Sequence, residues 1–357
     1  MKTAGDVGKR STVRPLFRSI FGFLTVCGAS VLTLVVLEYV IRWSYPIYDP
    51  SGHIRFFEDQ DDGPVLGPRN TVLQQVKNTG DFNVRVAFNK FGLRDDRDIT
   101  TAERDDIFVV GDSIAFGWGV EAADRVSERL EAATGRRVFN ISSPGDLDNS
   151  KRLIAYAESF GAPVRRVIVI FGTEVRLIDY GNKSNAGAPA VLRREGMFLL
   201  RIKNFLMENS ALYFLLTSAV HQLPPVRDLA IRAGLIVPNL EGVPIRDYSR
   251  EAIVSTADRL AALVRGYDAT IVVAPSRGLW TGPSRAIEER THSEFIAELK
   301  RRDLDVLDLR PEFERGGRPF EYFFQHDSHW SPRGHALAAE FIARHMKRTG
   351  AADAEPH

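Results

Sequence analysis

The chain has 357 residues, of which 44% are hydrophobic, and its formal net charge at pH 7 is +1. This length and apolar content suffice for one large α/β domain or for two smaller ones. The balanced charge argues against nucleic acid as a partner, and the single cysteine, Cys27, excludes an internal disulfide.

The N-terminal segment is first basic and then apolar. Five basic residues and one acidic residue occupy residues 1–18, and residues 19–37 carry no charge. A helix of that length just spans a hydrocarbon core of ~30 Å. The pattern predicts a cytoplasmic tail over residues 1–18, a single transmembrane anchor over residues 19–41 and an extracytoplasmic location for the remainder. A cleaved signal peptide and a buried core helix are the alternative interpretations.

We expect residues 42–88 to form a juxtamembrane linker. Asp49–Asn78 is rich in Gly, Pro, Asp and Asn, which predicts little regular structure. The weak alternation of Val84–Phe88 predicts a short strand. In Asn89–Asp95, which follows, we expect a turn with Gly92 at positive φ.

After this turn, five apolar runs alternate with helical patterns. The runs are Ile107–Val110, Val138–Ile141, Val167–Phe171, Thr270–Ala274 and Val306–Leu309. The helices between and after them are predicted at Ala123–Thr134, Asp148–Phe160, Arg250–Arg265, Ser284–Arg301 and Pro332–Lys347. Such alternation predicts an α/β fold in which helices cover both faces of a parallel sheet, giving three layers, α/β/α.

Two segments do not fit this alternation. Residues 180–243 begin with a polar loop and continue through Phe198–Leu223 with apolar residues at helical spacing. This pattern predicts a helical insertion in which Pro224-Pro225 ends the helix. We expect the insertion to pack on the sheet; a lid over the site and a second membrane-facing surface are alternatives. The tail, residues 349–357, is predicted to be disordered.

Two short blocks far apart in the sequence carry the candidate chemistry. Gly111-Asp112-Ser113 directly follows the first apolar run, and ligands of parallel sheets bind at the carboxyl ends of strands. A serine in this position is more often only a helix cap. The second block, near the C-terminus, is Asp327-Ser328-His329-Trp330.

Together these blocks resemble the SGNH (GDSL-type) hydrolase family. The Asp-x-His-Trp form is similar to that of the membrane-anchored, alginate O-acetyltransferase-like branches. The resemblance implies a domain over residues 89–348 with a five-stranded parallel sheet in flavodoxin-like order. It also implies that Ser113 is the nucleophile, that His329 is the base that takes its proton and that Asp327 orients His329.

The resemblance also implies donors for the developing oxyanion. These are the backbone amide of Ser113 and that of Gly145, which matches the glycine of the family's second block. The third block departs from the family pattern, because Glu174 stands where an asparagine is expected. A carboxylate has no proton to donate at neutral pH. Thr173 could replace the missing donor, or Glu174 could bind a cation.

Other residues near the two blocks have competing interpretations. His326 is an alternative base, whereas His335 is predicted to make a structural hydrogen bond. The spacing of these histidines also suggests a metal site, but no further ligand cluster supports it, and we expect no metal or cofactor. Asp112 is predicted to support the turn. Trp118 and Trp330 are predicted to pack, with stacking on a sugar as the alternative.

The sequence leaves three hypotheses for function. The first is a membrane-anchored serine esterase or deacylase acting on an acylated carbohydrate or lipid. The second is a transferase that moves an acetyl group onto an exported polysaccharide through the same acyl-serine intermediate. The third, favoured by Glu174, is a non-catalytic envelope binding or scaffold protein on the same fold.

Overall fold

A computed structural model describes residues 13–59, 62–173, 177, 195–236, 248–282 and 285–352. The chain divides into two compact units, which are described separately. The first consists of Met1–Ser51 with Phe198–Leu216, and the second of Gly52–Met197 with Thr217–His357.

The described elements follow one another in this order. The first part of the chain contains α1 (Val13–Ser44), β1 (Phe57–Glu58), β2 (Val65–Leu66), β3 (Thr71–Val76), β4 (Asn83–Phe88), β5 (Ile107–Gly111), α2 (Ser113–Phe116), α3 (Val126–Thr134), β6 (Val138–Asn140), α4 (Leu147–Ser159) and β7 (Arg166–Gly172). The remainder contains α5 (Glu195–Asn209), α6 (Ala211–Gln222), α7 (Pro224–Arg232), α8 (Arg250–Val264), β8 (Asp268–Ala274), α9 (Arg285–Lys300), β9 (Asp305–Asp308), α10 (Arg310–Glu314) and α11 (Pro332–Ala352).

Five parallel strands form the central sheet of the second unit, in the order β6-β5-β7-β8-β9. Counted along the chain within this sheet, the order is 2-1-3-4-5, which is the flavodoxin-like arrangement. The five apolar runs correspond to these five strands, with ends that differ by one or two residues. The predicted fold class is therefore confirmed.

Alternate residues of the central strands belong to two separate hydrophobic clusters. Phe108 and Val110 pack with residues of α4, α8 and α9. Ile107 and Val109 pack with residues of α3 and α11. Because helices cover both faces, successive strand residues are all buried, which explains the continuous apolar runs in the sequence. The two clusters are the interfaces between the three predicted layers.

The segment predicted as a linker contains regular structure. Strands β3 and β4 form an antiparallel hairpin in which Val76 pairs with Asn83, and β1 pairs with β2. The expectation of little regular structure over Asp49–Asn78 is therefore wrong. Alternate residues of β4, among them Val86, are buried in a third cluster together with Phe116. Tertiary packing, which the turn-rich composition does not reveal, explains why this segment is ordered.

The helical insertion differs from its prediction in two ways. The helical pattern of Phe198–Leu223 is interrupted at Ser210, and Pro224 begins α7 after α6 has ended at Gln222. Proline suits the first turn of a helix because its missing amide has no intrahelical acceptor there. In addition, Phe198–Leu216 forms a compact unit with the N-terminal residues. The loop predicted before the helix lies largely outside the described residues.

The C-terminal helix begins at Pro332, as predicted, and continues to Ala352. The prediction of a disordered tail over residues 349–357 is therefore wrong for its first four residues. Ala351 and Ala352 are strong helix formers and extend the helix past Gly350. Residues 353–357 lie outside the described part of the chain.

Candidate active site

Ser113 lies at the turn between β5 and α2, at the carboxyl end of the strand. Asp112 caps α2, since its Oδ1 accepts a hydrogen bond of 2.8 Å from the Ile114 amide. Asp112 therefore supports the turn, as predicted. A Cβ on Gly111 would lie 2.4 Å from the Ile170 carbonyl oxygen, so only glycine fits before this turn. As the first residue of a helix, Ser113 has a backbone amide without an intrahelical acceptor.

The predicted turn at Asn89–Asp95 contacts the segment that carries Ser113. Gly92 has the expected positive φ, +74°. The buried Arg94 guanidinium donates to the carbonyls of Gly117, at 2.6 Å, and Val120. Burial, with the charge of Arg125 nearby, lowers the pKa of Arg94 to about 9. Arg94 thus satisfies the carbonyls at the end of α2 and fixes the segment that carries Ser113.

The structure brings the three predicted reacting residues together. His329 Nε2 lies 2.8 Å from Ser113 Oγ, although the two residues are 216 positions apart. On the other side of the ring, His329 Nδ1 pairs with Asp327 Oδ1. The same carboxylate oxygen accepts the His329 backbone amide at 3.0 Å. A continuous chain of hydrogen bonds therefore runs from Asp327 through His329 to Ser113.

Lys77, which the sequence analysis did not identify, contacts the acid of this chain. Its Nζ donates to Asp327 Oδ2 at 2.7 Å, on the oxygen that His329 does not use. Burial alone would raise the pKa of Asp327, but the hydrogen bonds and charges of His329 and Lys77 hold it well below its usual range. Asp327 therefore stays ionised at neutral pH. The hairpin β3–β4 supplies this contact, since Lys77 directly follows β3.

The same hairpin also holds the two loops that carry the reacting groups. Gln75 Oε1 accepts the amide of Gly119, 2.8 Å away, in the loop after α2. Asp81 accepts the backbone amide of His326 at 3.0 Å and lies 3.3 Å from its Nδ1. Asp81 therefore engages His326, the alternative base, whereas His329 contacts the serine.

His335, Trp118 and Trp330 lie close to the reacting residues, and each had a predicted role. His335 is fully buried, and neither ring nitrogen has a hydrogen-bond partner within the described part of the chain, so the predicted structural hydrogen bond is wrong. Burial, with nearby Arg94 and Arg125, lowers the pKa of His335 to about 3, so the ring is neutral. Trp330 is buried and packs edge-on against His335. Trp118 stacks on the His329 ring, with centroids 5.5 Å apart.

Of the predicted oxyanion residues, the structure describes Gly145 and Thr173 but not Glu174. A cavity near the nucleophile turn is lined by Asp112, Gly145, Asp146, Leu147, Ser150, Val169, Ile170 and Phe171. Gly145 thus lies close to the turn that carries Ser113. The buried Thr173 donates its hydroxyl to the Ala274 carbonyl at 3.3 Å, so that proton is already engaged. Glu174 lies outside the described residues.

Gly145 has a steric reason to be glycine, independent of any role as a donor. A Cβ at this position would lie 2.6 Å from Asn149 Cβ, in the first turn of α4. Asn149 cannot move freely, since its Oδ1 accepts the Val65 amide at 2.8 Å and its Nδ2 donates to Ser143.

We therefore expect Gly145→Ala to lower the free energy of unfolding by about 1–3 kcal/mol through overpacking. Denaturant unfolding measures this change. Gly52→Ala is the control, because a Cβ there would meet nothing within 4 Å. An alanine variant at Gly145 with unchanged stability would contradict the packing described here.

Within the described ranges, no group of three His, Cys, Asp or Glu side chains is arranged to hold a metal ion.

A protein-family model matches the C-terminal part of the chain. Residues 241–357 match the family model described as an SGNH hydrolase-like domain, acetyltransferase AlgX. This segment contains Asp327 and His329, but it begins well after Ser113 in the sequence, so Ser113 lies outside the match. The resemblance to the SGNH hydrolases is confirmed. A comparison with curated proteins gives no match.

Solved structures of SGNH and GDSL proteins are similar at low identity. A lipase/acylhydrolase from Enterococcus faecalis is 13% identical, with a TM-score of 0.39, over 68% of this chain and 96% of that chain. A lipolytic G-D-S-L family protein from Veillonella parvula is 11% identical, with a TM-score of 0.37, over 68% and 98%.

Proposed function

We propose that this chain is a membrane-anchored SGNH-type serine esterase or deacylase. It removes ester-linked acyl groups, O-acetyl groups above all, from a carbohydrate or lipid on the extracytoplasmic side. The observation that carries the proposal is the hydrogen-bonded chain from Asp327 through His329 to Ser113. The apolar helix α1 supports the anchor, because an 18-residue window within Phe21–Ser44 has a mean hydropathy of 2.1 and is almost wholly exposed.

The geometry supports an acyl-serine mechanism. Asp327 accepts the Nδ1 proton of His329, which leaves Nε2 with a free lone pair towards Ser113 Oγ. As the oxygen attacks the ester carbon, Nε2 takes the serine proton, and Asp327 stabilises the resulting imidazolium. His329 then returns the proton to the departing alcohol, and Ser113 keeps the acyl group. A water molecule, or a second hydroxyl, then attacks this ester with His329 again as base. The bond between the acyl carbon and Ser113 Oγ breaks, the acyl group leaves on the attacking oxygen, and His329 returns the proton to Ser113.

The negative charge on the substrate oxygen requires hydrogen-bond donors that are already in position. The free amide of Ser113 at the start of α2 supplies the first. Gly145, close to the same turn, is the proposed second donor through its own backbone amide. The hydroxyl of Thr173 is a poor third donor because it is bonded to Ala274. Glu174, which lies outside the described residues, remains a candidate substrate-binding residue from the sequence alone.

The main alternative is an O-acetyltransferase that modifies an exported polysaccharide. The match of residues 241–357 to an acetyltransferase family favours it. Both reactions share the acyl-Ser113 intermediate, and they differ in whether water or a sugar hydroxyl accepts the acyl group. A non-catalytic envelope protein is the third candidate, and the complete hydrogen-bonded chain at Ser113 argues against it.

A fluorophosphonate probe tests for an activated serine. We expect the probe to label Ser113, identified by peptide mapping, and we expect no label in Ser113→Ala or His329→Ala. Ser142→Ala is the control: it also removes a serine hydroxyl, but one that is buried and bonded to the Val109 carbonyl, so labelling at Ser113 should persist. A folded wild-type protein without label at Ser113 would overturn the proposal in favour of the scaffold.

A second experiment separates the hydrolase from the transferase. The full chain is incubated with p-nitrophenyl acetate, alone and with candidate oligosaccharides, and acetate is followed in water and on sugar. The esterase predicts free acetate at the same rate with or without sugar. Acetate that appears only on the sugar would replace the esterase by the transferase.

A further inference from the structure

We propose that α5 lies in the lipid–water interface and inserts its apolar side chains among the lipids. The partner of this surface is the bilayer itself. The inference rests on the proposed membrane anchoring by α1 and concerns only the first unit. It assigns a second membrane-binding element to a segment whose function the proposed activity leaves open.

Helix α1 is joined to the α5–α6 junction through its own charged side chains. Glu38 accepts the backbone amides of Ala211 at 2.8 Å and Leu212 at 3.0 Å, and the Ser210 hydroxyl at 2.8 Å. The first amides of any helix lack intrahelical acceptors, so one carboxylate on α1 caps the start of α6.

The end of α5 is satisfied from the same helix. Arg42, one turn after Glu38 and paired with it at 2.7 Å, donates to the carbonyl of Asn209. Side chains of α1 thus provide hydrogen-bond partners both for a carbonyl at the end of α5 and for amides at the start of α6. These hydrogen bonds to backbone groups matter most where water is scarce, because an unpaired backbone group is especially costly in lipid.

The position of Glu38 along α1 fixes the depth of the junction. Counted from Phe21, a hydrocarbon core of ~30 Å takes about 20 residues, which ends near Val40. Glu38 therefore lies at the edge of the hydrocarbon core once α1 spans the membrane. The junction bound to Glu38 lies at the same level, where acyl chains meet headgroups.

The composition of α5 suits this level. Phe205 is 63% exposed and Ile202 is 39% exposed, within the last two to three turns of the helix. Exposed apolar side chains of this size indicate a surface that meets a partner rather than water. The exposed Arg201 and Lys203 lie among them, and basic side chains can reach towards headgroups while their stems remain in apolar surroundings.

Aromatic residues of the same unit favour lipid over a protein as the occupant. Trp43 is 89% exposed at the end of α1, and Tyr45, the first residue after this helix, is also exposed. Tryptophan and tyrosine are enriched at the level of the headgroups. The apolar residues of α5 therefore continue a belt that already suits the membrane interface.

Spin-label accessibility in lipid nanodiscs tests the proposal on the full chain. The single native cysteine is removed by Cys27→Ser, and one cysteine is introduced by Phe205→Cys, Val35→Cys or Glu103→Cys. Val35 reports on the anchor α1 and Glu103, exposed outside the first unit, on water. With nanodiscs of phosphatidylglycerol and phosphatidylcholine, we expect the labels at 35 and 205 to be more accessible to oxygen than to a nickel chelate, and the label at 103 to show the reverse.

The two possible failures are distinguishable. A label at 205 that prefers nickel while the label at 35 prefers oxygen would overturn the interfacial position of α5 and leave the anchor intact. A label at 205 shielded from both reagents would overturn it in favour of a protein partner. Nickel preference at both 35 and 205 would overturn the proposed anchor itself.

The capping by Glu38 is tested separately in the Phe205→Cys protein. Glu38→Ala removes the acceptor for two amides, so we expect α5 to lose its fixed depth and the oxygen preference at 205 to fall several-fold. The preference at 35 should not change. Glu58→Ala, in the exposed strand β1, is the matched control. An unchanged preference at 205 in Glu38→Ala would show that Glu38 does not hold α5 in the interface.

Discussion

Asp327→Asn is expected to lower kcat by about 10³–10⁴-fold without unfolding the protein. The asparagine amide group can present an N–H to His329 Nδ1, which favours the tautomer with the proton on Nε2. That tautomer cannot take the proton of Ser113. An asparagine is also neutral, so it stabilises the imidazolium less well than the ionised Asp327.

Steady-state hydrolysis of p-nitrophenyl acetate, together with unfolding curves, measures this effect. Asp305→Asn provides a matched control, because Asp305 also pairs with a histidine, His345, at 2.8 Å but at the opposite end of β9 from the serine. It should keep wild-type kcat. Turnover in Asp327→Asn within a few-fold of wild type would show that Asp327 is not needed for the reaction.

Lys77→Met is expected to lower kcat/KM at neutral pH by about tenfold, because a hydrogen bond to a charged group contributes about 1.5–3 kcal/mol. Lys77 Nζ donates to Asp327 Oδ2 at 2.7 Å, and without this donor the carboxylate is held less firmly beside His329. The pKa of Asp327 should rise at the same time, since Lys77 helps to lower it.

Steady-state kinetics and unfolding curves of wild type, Lys77→Met and Lys77→Arg measure this role, and the arginine variant should restore most of the wild-type kcat/KM. Lys90→Met is the matched control, because Lys90 also pairs with an aspartate, Asp98, at 2.7 Å but more exposed to solvent. A Lys77→Met protein that loses stability while its kcat/KM stays at the wild-type value would assign Lys77 a structural role alone.

The central sheet was predictable because its signal is local. Both faces of β5, β7 and β8 are buried, so each strand is a continuous apolar run that stands out from its flanks. Helix ends were less accurate. Helix α3 begins at Val126 rather than Ala123, because Ala122–Asp124 forms a separate 3-10 turn before it.

The reacting residues were predictable through motifs, whereas their supports were not. Ser113 and His329 each lie in a recognisable block, and the resemblance alone implied that the blocks meet. Lys77 carries no motif, and it reaches Asp327 across 250 positions of sequence. The strand before Lys77 has no clean alternation of apolar and polar residues, so the first strand of the hairpin lay in a segment predicted to have little regular structure.

Buried polar groups were the other source of error. A histidine in a helix was expected to form a hydrogen bond, but His335 lies among Arg94, Arg125 and Trp330, where neutral packing replaces pairing. Likewise, Arg94 was predicted only as part of a turn. Its bonds to the carbonyls of Gly117 and Val120 join residues 23 and 26 positions apart in the sequence, which a local pattern does not contain.

The distance along the chain between Ser113 and His329 has a consequence for biogenesis. The histidine is synthesised more than two hundred residues after the serine, so during translation the hydroxyl is an ordinary alcohol with no acceptor for its proton. The contact between the two residues forms only after the segment that carries His329 has been synthesised and has folded against the sheet. A nascent chain that still lacks this segment therefore has no base beside Ser113.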